Sequence, residues 1–352
     1  GAGADIQELN TVRKELSLLK GGGMRKLCRG KRLLSLILSD VLGDPLDVIA
    51  SGATVPNRST PQDALAVLKK FQADRQTEFT ASVKFLQQCL RQSQQPGQPA
   101  ENPMVEENVP ATNRADEYQE HTHVILGNNQ LAVDAAAQHA RKLGYRPWTC
   151  SATSSEKDAE IVGLDLLDDS FRIFQGKLPL HFSWRINSTD SSEAKALRPD
   201  CLISGGEPTV RLVPSEQRGL GGRNQQLVLA ALIQILNGYP PPELREKMTA
   251  TEAVSDSDNG PSNKFIPGFL SAGTDGEDGP TTAAGAFFDA EAIQYIAGLC
   301  RQPDFHPLDY LQRNDAWHFF KKADTLMETG PTGTNVCDLR VILIPRQTEN
   351  ES

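Results

Sequence analysis

No run of eighteen or more apolar residues occurs in these 352 residues, so no segment reads as a membrane-spanning helix and the chain reads as soluble. Cysteine is sparse: Cys28, Cys89, Cys150, Cys201, Cys300 and Cys337 lie far apart. There is no CxxC pair and no Cys/His cluster, which excludes a zinc module or a disulfide framework and favours reduced thiols in a cytoplasmic or mitochondrial compartment. No basic stripe with interleaved aromatics offsets the formal charge of -9, so a nucleic-acid partner is disfavoured. Histidine offers little: His121 and His123 border a polar stretch, and His318 lies among aromatics. The GxSxG elbow, the Walker GxxxxGK[ST] loop and the GxGxxG fingerprint are all missing. Asn187-Ser188-Thr189 matches a glycosylation triplet, but nothing else indicates secretion. The chain opens on Gly1-Ala2-Gly3-Ala4 instead of methionine, and so reads as lacking its natural start.

What is present suffices for two domains, with 38% hydrophobic residues to build their cores. Residues 91–119 turn polar and rich in Gln, Pro, Asn and Glu, as a linker does. That places domain boundaries at 1–90 and 120–348. The polar stretches 187–199 and 237–267 read as surface insertions. Before the linker, the apolar run 33–38 predicts a buried parallel strand, and Ser59, Thr60, Pro61 and Asp63 announce a helix through cap and first-turn chemistry. After it, strands are expected at 124–126, 145–150, 202–204, 209–213, 269–271 and 339–344. Helices are expected at 131–142, from 157, and at 225–236, 282–299 and 315–328. Such alternation predicts an α/β fold with parallel or mixed sheets covered by helices.

In an open α/β sheet the ligand sits beyond the carboxyl ends of the strands, so the loops that follow the apolar runs carry the chemistry. The first holds Ser39, Asp40, Gly43 and Asp44, then Ser51-Gly52. Its aspartates could hold a cation, its glycines could admit an oxyanion, and a plain turn reads equally well. The second, Ser204-Gly205-Gly206-Glu207-Pro208-Thr209, suits close approach to phosphate, with Glu207 for a substrate hydroxyl or hydrated magnesium. The third, 219–225, runs Gly222-Arg223-Asn224 into a helix, where free amides and a guanidinium would meet an anion. The fourth, 271–281, sets Asp275, Glu277 and Asp278 within four positions, a repulsive cluster unless a cation or a hydrogen-bonding substrate occupies it. The fifth, 329–335, offers Thr332, Gly333, Thr334 and Asn335 to phosphate or hydroxy-acid oxygens, though a flexible connector reads almost the same.

Taken together, Ser-Gly-Gly-Glu-Pro-Thr (204–209), Gly-Gly-Arg-Asn (221–224), Gly-Thr-Asp-Gly-x-Asp-Gly-Pro-Thr (273–281) and Thr-Gly-x-Thr-Gly-Thr-Asn (329–335) resemble the signature of class II glycerate kinases, the family with a carboxy-terminal MOFRL domain. Asn10-Thr11-Val12-Arg13-Lys14, Lys20-Gly21-Gly22, Ser39-Asp40-x-x-Gly-Asp and Ser51-Gly52 resemble its first domain. The resemblance implies two three-layer α/β/α domains with an active-site cleft between them. Residues 1–90 would be the carboxy-terminal part of a truncated, Rossmann-like first domain, and 200–346 the MOFRL region. It also implies phosphorylation of D-glycerate by magnesium ATP to 2-phosphoglycerate. On that basis Arg223 and Asp275 are the candidate catalytic residues. Ser51, Gly52, Gly205, Gly206, Glu207, Gly222, Asn224, Thr274, Thr332, Gly333, Thr334 and Asn335 are candidate substrate or phosphate ligands, and Asp40, Asp44 and Asp278 candidate Mg2+ ligands. Ala53 stands where the family usually has proline, and 151–160 departs from the family's usual loop. A hydroxypyruvate reductase and a non-catalytic glycerate- or nucleotide-binding remnant remain as alternatives.

Overall fold

The computed structural model describes residues 3–93, 120–185, 198–239 and 265–346. Most of the expected linker and both expected insertions therefore lie outside the described residues. Contacts divide the chain into two compact units: Gly1–Ile37 with Asp44–Leu126, and Leu38–Gly43 with Gly127–Ser352. This division differs from the expected 1–90 and 120–348. Strand β1 (Arg32–Leu38) pairs with β2 (Glu120–Gly127) in a two-stranded sheet, which draws 120–126 into the first unit, while the loop after β1 belongs to the second.

In the first unit, α1 (Ile6–Glu15) and α3 (Pro61–Lys70) each begin with a capping box, Asp5 with Glu8 and Thr60 with Asp63. Between them lies the short α2 (Gly23–Leu27). Val12 of α1, Leu16 at its C-cap and Leu65 of α3 pack with the buried Ala64, Leu68, Ala73 and Leu86, the last from α4 (Thr80–Ser93). The expectation that the run 33–38 is a buried strand does not hold here. Leu34 and Leu36 of β1 are each 59% exposed, because a two-stranded sheet supplies too few neighbours to cover both faces.

The second unit is a three-layer α/β/α sandwich. Its six-stranded sheet has the order β3-β4-β8-β5-β6-β7, formed by Pro147–Ser151, Cys201–Gly206, Asp338–Leu343, Gly268–Gly273, Gly285–Phe288 and Leu326–Met327. Only β3 and β4 pair in parallel; the other contacts are antiparallel. One face carries Cys201 and Ile203 against Val133, Ala137 and Ala140 of α5 (Asn129–Lys142). The other carries Leu202, Ile342, Phe269 and Phe288 against α6 (Ala159–Phe174) and α7 (Arg223–Leu236), with α8 (Ala290–Leu299), α9 (Pro307–Gln312) and α10 (Ala316–Ala323) completing the layer. Helix α7 is buried from Asn224 to Ile233, and its apolar run from Leu227 to Ile233, hydrophobic all round, requires that cover.

Three local expectations are corrected. The span 209–213 forms no strand, only an isolated bridge from Thr209 to Asp158. The expected helix 282–299 begins as β6, since Gly285 and Ala286 fit the crowded row beside Ser271 and Ala272 before α8 takes over. The expected helix 315–328 stops at Ala323, where Asp324 turns left-handed and releases the chain into β7. Among the described residues no helix is long and apolar enough to cross a membrane.

Candidate active site

The polar end of the second unit follows from strand register. Strand β8 runs antiparallel between β4 and β5, so its first residue lies beside the last residues of both. Three cross-sheet rows result on one face: Leu202, Ile342 and Phe269; then Ser204, Arg340 and Ser271; then Gly206, Asp338 and Gly273. The face thus passes from apolar core to a polar row to an aspartate between two glycines. The second, fourth and fifth loops meet there because two strands end, and one begins, at the same edge.

Helix α7 delivers Arg223 to this edge. Its Nε and Nη2 donate to the two Asp338 carboxylate oxygens at 2.7 and 3.0 Å, and Nη1 donates to Glu207 Oε1 at 2.9 Å. Asp338 is fully buried, while the Arg223 and Glu207 side chains are 32% and 42% exposed. Such a forked pair fixes the plane of the guanidinium. Burial pushes the Glu207 carboxyl above its ordinary range, with Arg223 opposing and Asp338 and Asp40 adding to the rise.

Asp278 occupies the start of α7 instead of a metal position. Its Oδ1 accepts from the backbone N and the Nδ2 of Asn224, at 3.0 and 3.2 Å, and its Oδ2 from Gln225 N at 2.8 Å. Gly222, the N-cap, has no side chain of its own to offer, and a Cβ there would come within 2.3 Å of Asp278 Oδ1. The amides expected to await an external anion are therefore held by the protein's own carboxylate. Asn224 passes the network on, accepting from Ser271 Oγ at 2.5 Å.

The paired glycines of the second loop also serve the protein itself. A Cβ on Gly205 would lie 2.0 Å from Asn129 Oδ1, and one on Gly206 2.1 Å from Glu156 Oε2. Asn129 donates to the carbonyls of Val336 and Asp338. Glu156 accepts both Nη groups of the fully buried Arg340, at 2.9 and 2.7 Å.

Thr274 joins the fourth and fifth loops: its Oγ1 donates to Cys337 O and accepts from Val336 N. Thr332 Oγ1 donates to Thr274 O, and Thr332 N to Asp275 O. Thr332, Gly333, Thr334 and Asn335 are exposed along the rim, with Gly333 left-handed and Asn335 Oδ1 accepting from Cys337 N. Asp275 turns back to accept from Glu277 N at 3.1 Å; its side chain makes no hydrogen bond to Arg223 among the described residues. Asp40 is exposed, and its carbonyl accepts from Cys337 Sγ at 3.1 Å. Ser51, Gly52 and Asp44 belong to the first unit. There Ser51 Oγ donates to Asn10 Oδ1 at 2.9 Å, Gly52 O accepts from Gly22 N at 2.8 Å, and Asp44 adopts a left-handed turn.

Sequence reasoning missed Asp338, Asn129, Glu156 and Arg340. Arg340 gave a usable signal, since a lone charge inside the apolar run 339–344 must find a partner when buried. A separate group, Asp168, Asp169 and His181, has metal-like spacing. Asp169 already accepts from the backbone N of Leu180, His181 and Phe182 and from Trp184 Nε1, which makes it an anchor for that loop.

Burial pushes the Asp278 carboxyl from an ordinary 3.8 up to about 7, against the N–H groups that favour its charged form. Below the unfolded value both states hold the proton. Between that value and about 7 only the folded state keeps it, so stability falls as pH rises, by at most about 1.4 kcal/mol per pH unit. Subtracting the unfolding free energies of Asp278→Asn from those of the wild type should show this slope between pH 4 and 7 and a plateau above. A flat difference would refute the assignment.

The fold and the edge geometry define an α/β protein with an arginine fixed by two carboxylates where its strands end. Residues 200–338 match the MOFRL family, and residues 1–86 match a domain of unknown function, DUF4147. The chain is 34% identical to a glycerate kinase of Danio rerio over 372 residues, covering 99% of this chain and 65% of that protein. It is 32% identical to a glycerate kinase of Macaca fascicularis, covering 97% of this chain and 80% of the relative. The crystal structure of a Thermotoga maritima glycerate kinase superposes with a TM-score of 0.64 at 30% identity, covering 98% of this chain and 64% of that one. The chain belongs to the glycerate kinase family. It spans just under two thirds of several of the relatives it matches.

Proposed function

We propose that this chain carries the arginine-bearing part of an ATP-dependent glycerate kinase, which transfers the γ-phosphoryl group of ATP to a hydroxyl of D-glycerate to give 2-phosphoglycerate and ADP. The observation that carries the reading is Arg223, a cation of the resembled motif, held in a forked contact at the strand-end edge of a chain from this family. Phosphoryl transfer needs positioning and charge neutralisation more than covalent chemistry from the protein. A guanidinium fixed before the substrate arrives costs no reorganisation during the step. Thr274, Thr332 and the rim residues 333–335 would hold the polar parts of the substrates.

Of the aspartates assigned to magnesium, Asp278 spends both of its oxygens on three N–H donors at the start of α7. No step is therefore routed through a protein-held metal, and magnesium enters this reading only as the counter-ion of the nucleotide.

Glycerate-dependent ADP release, with 31P detection of 2-phosphoglycerate, tests the reading, alongside NADH oxidation with hydroxypyruvate. ADP release is expected from a protein that spans the full length of its relatives, and only weak activity from the 352-residue chain alone. NADH oxidation would establish the reductase alternative, and saturable glycerate or ATP binding without turnover would establish the non-catalytic one.

A further inference from the structure

Arg223 is held by two carboxylates that differ in kind. Asp338, fully buried, accepts from two guanidinium nitrogens and by itself balances the charge. Glu207, 42% exposed, accepts a single bond from the remaining Nη1. One guanidinium between two carboxylates leaves an excess negative charge, and Asp40 adds its field to Glu207. A pair open to solvent and repelled by a neighbouring carboxylate is readily exchanged, whereas the forked buried pair is not.

The neighbouring anion position is closed, since the amides of Asn224 and Gln225 are taken by Asp278, itself 2% exposed. Arg340 is closed likewise by Glu156. An oxyanion arriving at this edge therefore finds its cationic donor on the Nη1 side of Arg223, where Glu207 sits.

We propose that Glu207 is a displaceable counter-ion, occupying on Arg223 the position that a tetrahedral oxyanion takes, and that its competition sets the affinity of the site for such anions. The identification of that oxyanion as a transferred phosphoryl group rests on the kinase reading; the exchange itself does not. Glu207 then acts as a specificity-determining residue, because a weakly charged or neutral ligand fails to displace it.

Inorganic phosphate titrated into the 352-residue chain by calorimetry tests the exchange. Glu207→Gln should bind phosphate about three- to tenfold more tightly than the wild type, the range expected when an exposed competing charge is removed. Glu207→Ala, which leaves Nη1 free, should gain at least as much and guards against an idiosyncrasy of the amide. The gain should vanish in the double variant Glu207→Gln with Arg223→Gln. Glu277→Gln changes the net charge equally on the exposed neighbouring loop, and should show no comparable gain. Absence of the gain, its persistence without Arg223, an equal gain in Glu277→Gln, or no phosphate binding in any variant would overturn the proposal. A clear gain alongside no glycerate-dependent ADP release from a protein of the relatives' full length would overturn the kinase reading alone.

Discussion

Replacing Glu156 with alanine is expected to destabilise the second unit by about 3–5 kcal/mol, the usual cost of stranding one charge of a buried pair. The reason is the position of Arg340: it is fully buried in the central strand, and Glu156 supplies the acceptors for both of its Nη groups. Its Nε has no other partner among the described residues. Arg340→Met should cost less than Glu156→Ala, and the double change Glu156→Leu with Arg340→Met less than the sum of the single ones, because no orphaned charge remains. Urea titration of the single and double variants checks this. Additive costs would mean that the two side chains do not act as a pair. Binding of the second-loop region is expected to follow stability, since Gly206 lies against the same Glu156 carboxylate.

The second large effect is expected at Arg223. Arg223→Lys keeps a cation but loses the planar fork that matches Asp338, so the charge is no longer aimed. On the kinase reading, and in a protein of the relatives' full length, turnover of glycerate should fall by about 100-fold, roughly 2.7 kcal/mol in the barrier, while KM for glycerate moves by less than about threefold. Asp338→Asn should show the same split more weakly, because it touches the reaction only through the arginine it positions. Steady-state kinetics of the three proteins decides: a rise in KM with unchanged kcat would make Arg223 a ground-state ligand and remove it from the chemical step.

Several features were legible without coordinates because each depends on local chemistry. Helix α3 was announced by Thr60, Pro61 and Asp63, and all three are used as expected. The runs at 202–204, 269–271 and 339–344 became β4, β5 and β8, since short, mainly apolar segments have few other uses in a covered sheet. The glycine-rich, acidic loops were found by the same logic, and the motifs they form named the family before any comparison. The misreadings were also local in origin. Residues 285–288 carry a helix-like pattern, and only their pairing with β5, where Gly285 and Ala286 fit the crowded row beside Ser271 and Ala272, makes them a strand.

What the amino-acid order determined by itself was therefore the inventory: an α/β chain in which no apolar run is long enough to span a membrane, with glycine, hydroxyl and carboxylate groups placed after strands. What only the tertiary structure decided was how those groups are spent. Asp278 reads as a metal ligand until the start of α7 arrives to claim both of its oxygens. Gly205 and Gly206 read as a phosphate cradle until Asn129 and Glu156 fill the space their missing side chains leave. Asp338 carries no signal at all beyond opening a strand, yet it becomes the fixed partner of Arg223 across 115 positions of sequence. Hydrogen-bonding capacity is a property of a residue, but its occupation depends on which distant neighbours the sheet register brings within about 3 Å, and that is settled by packing.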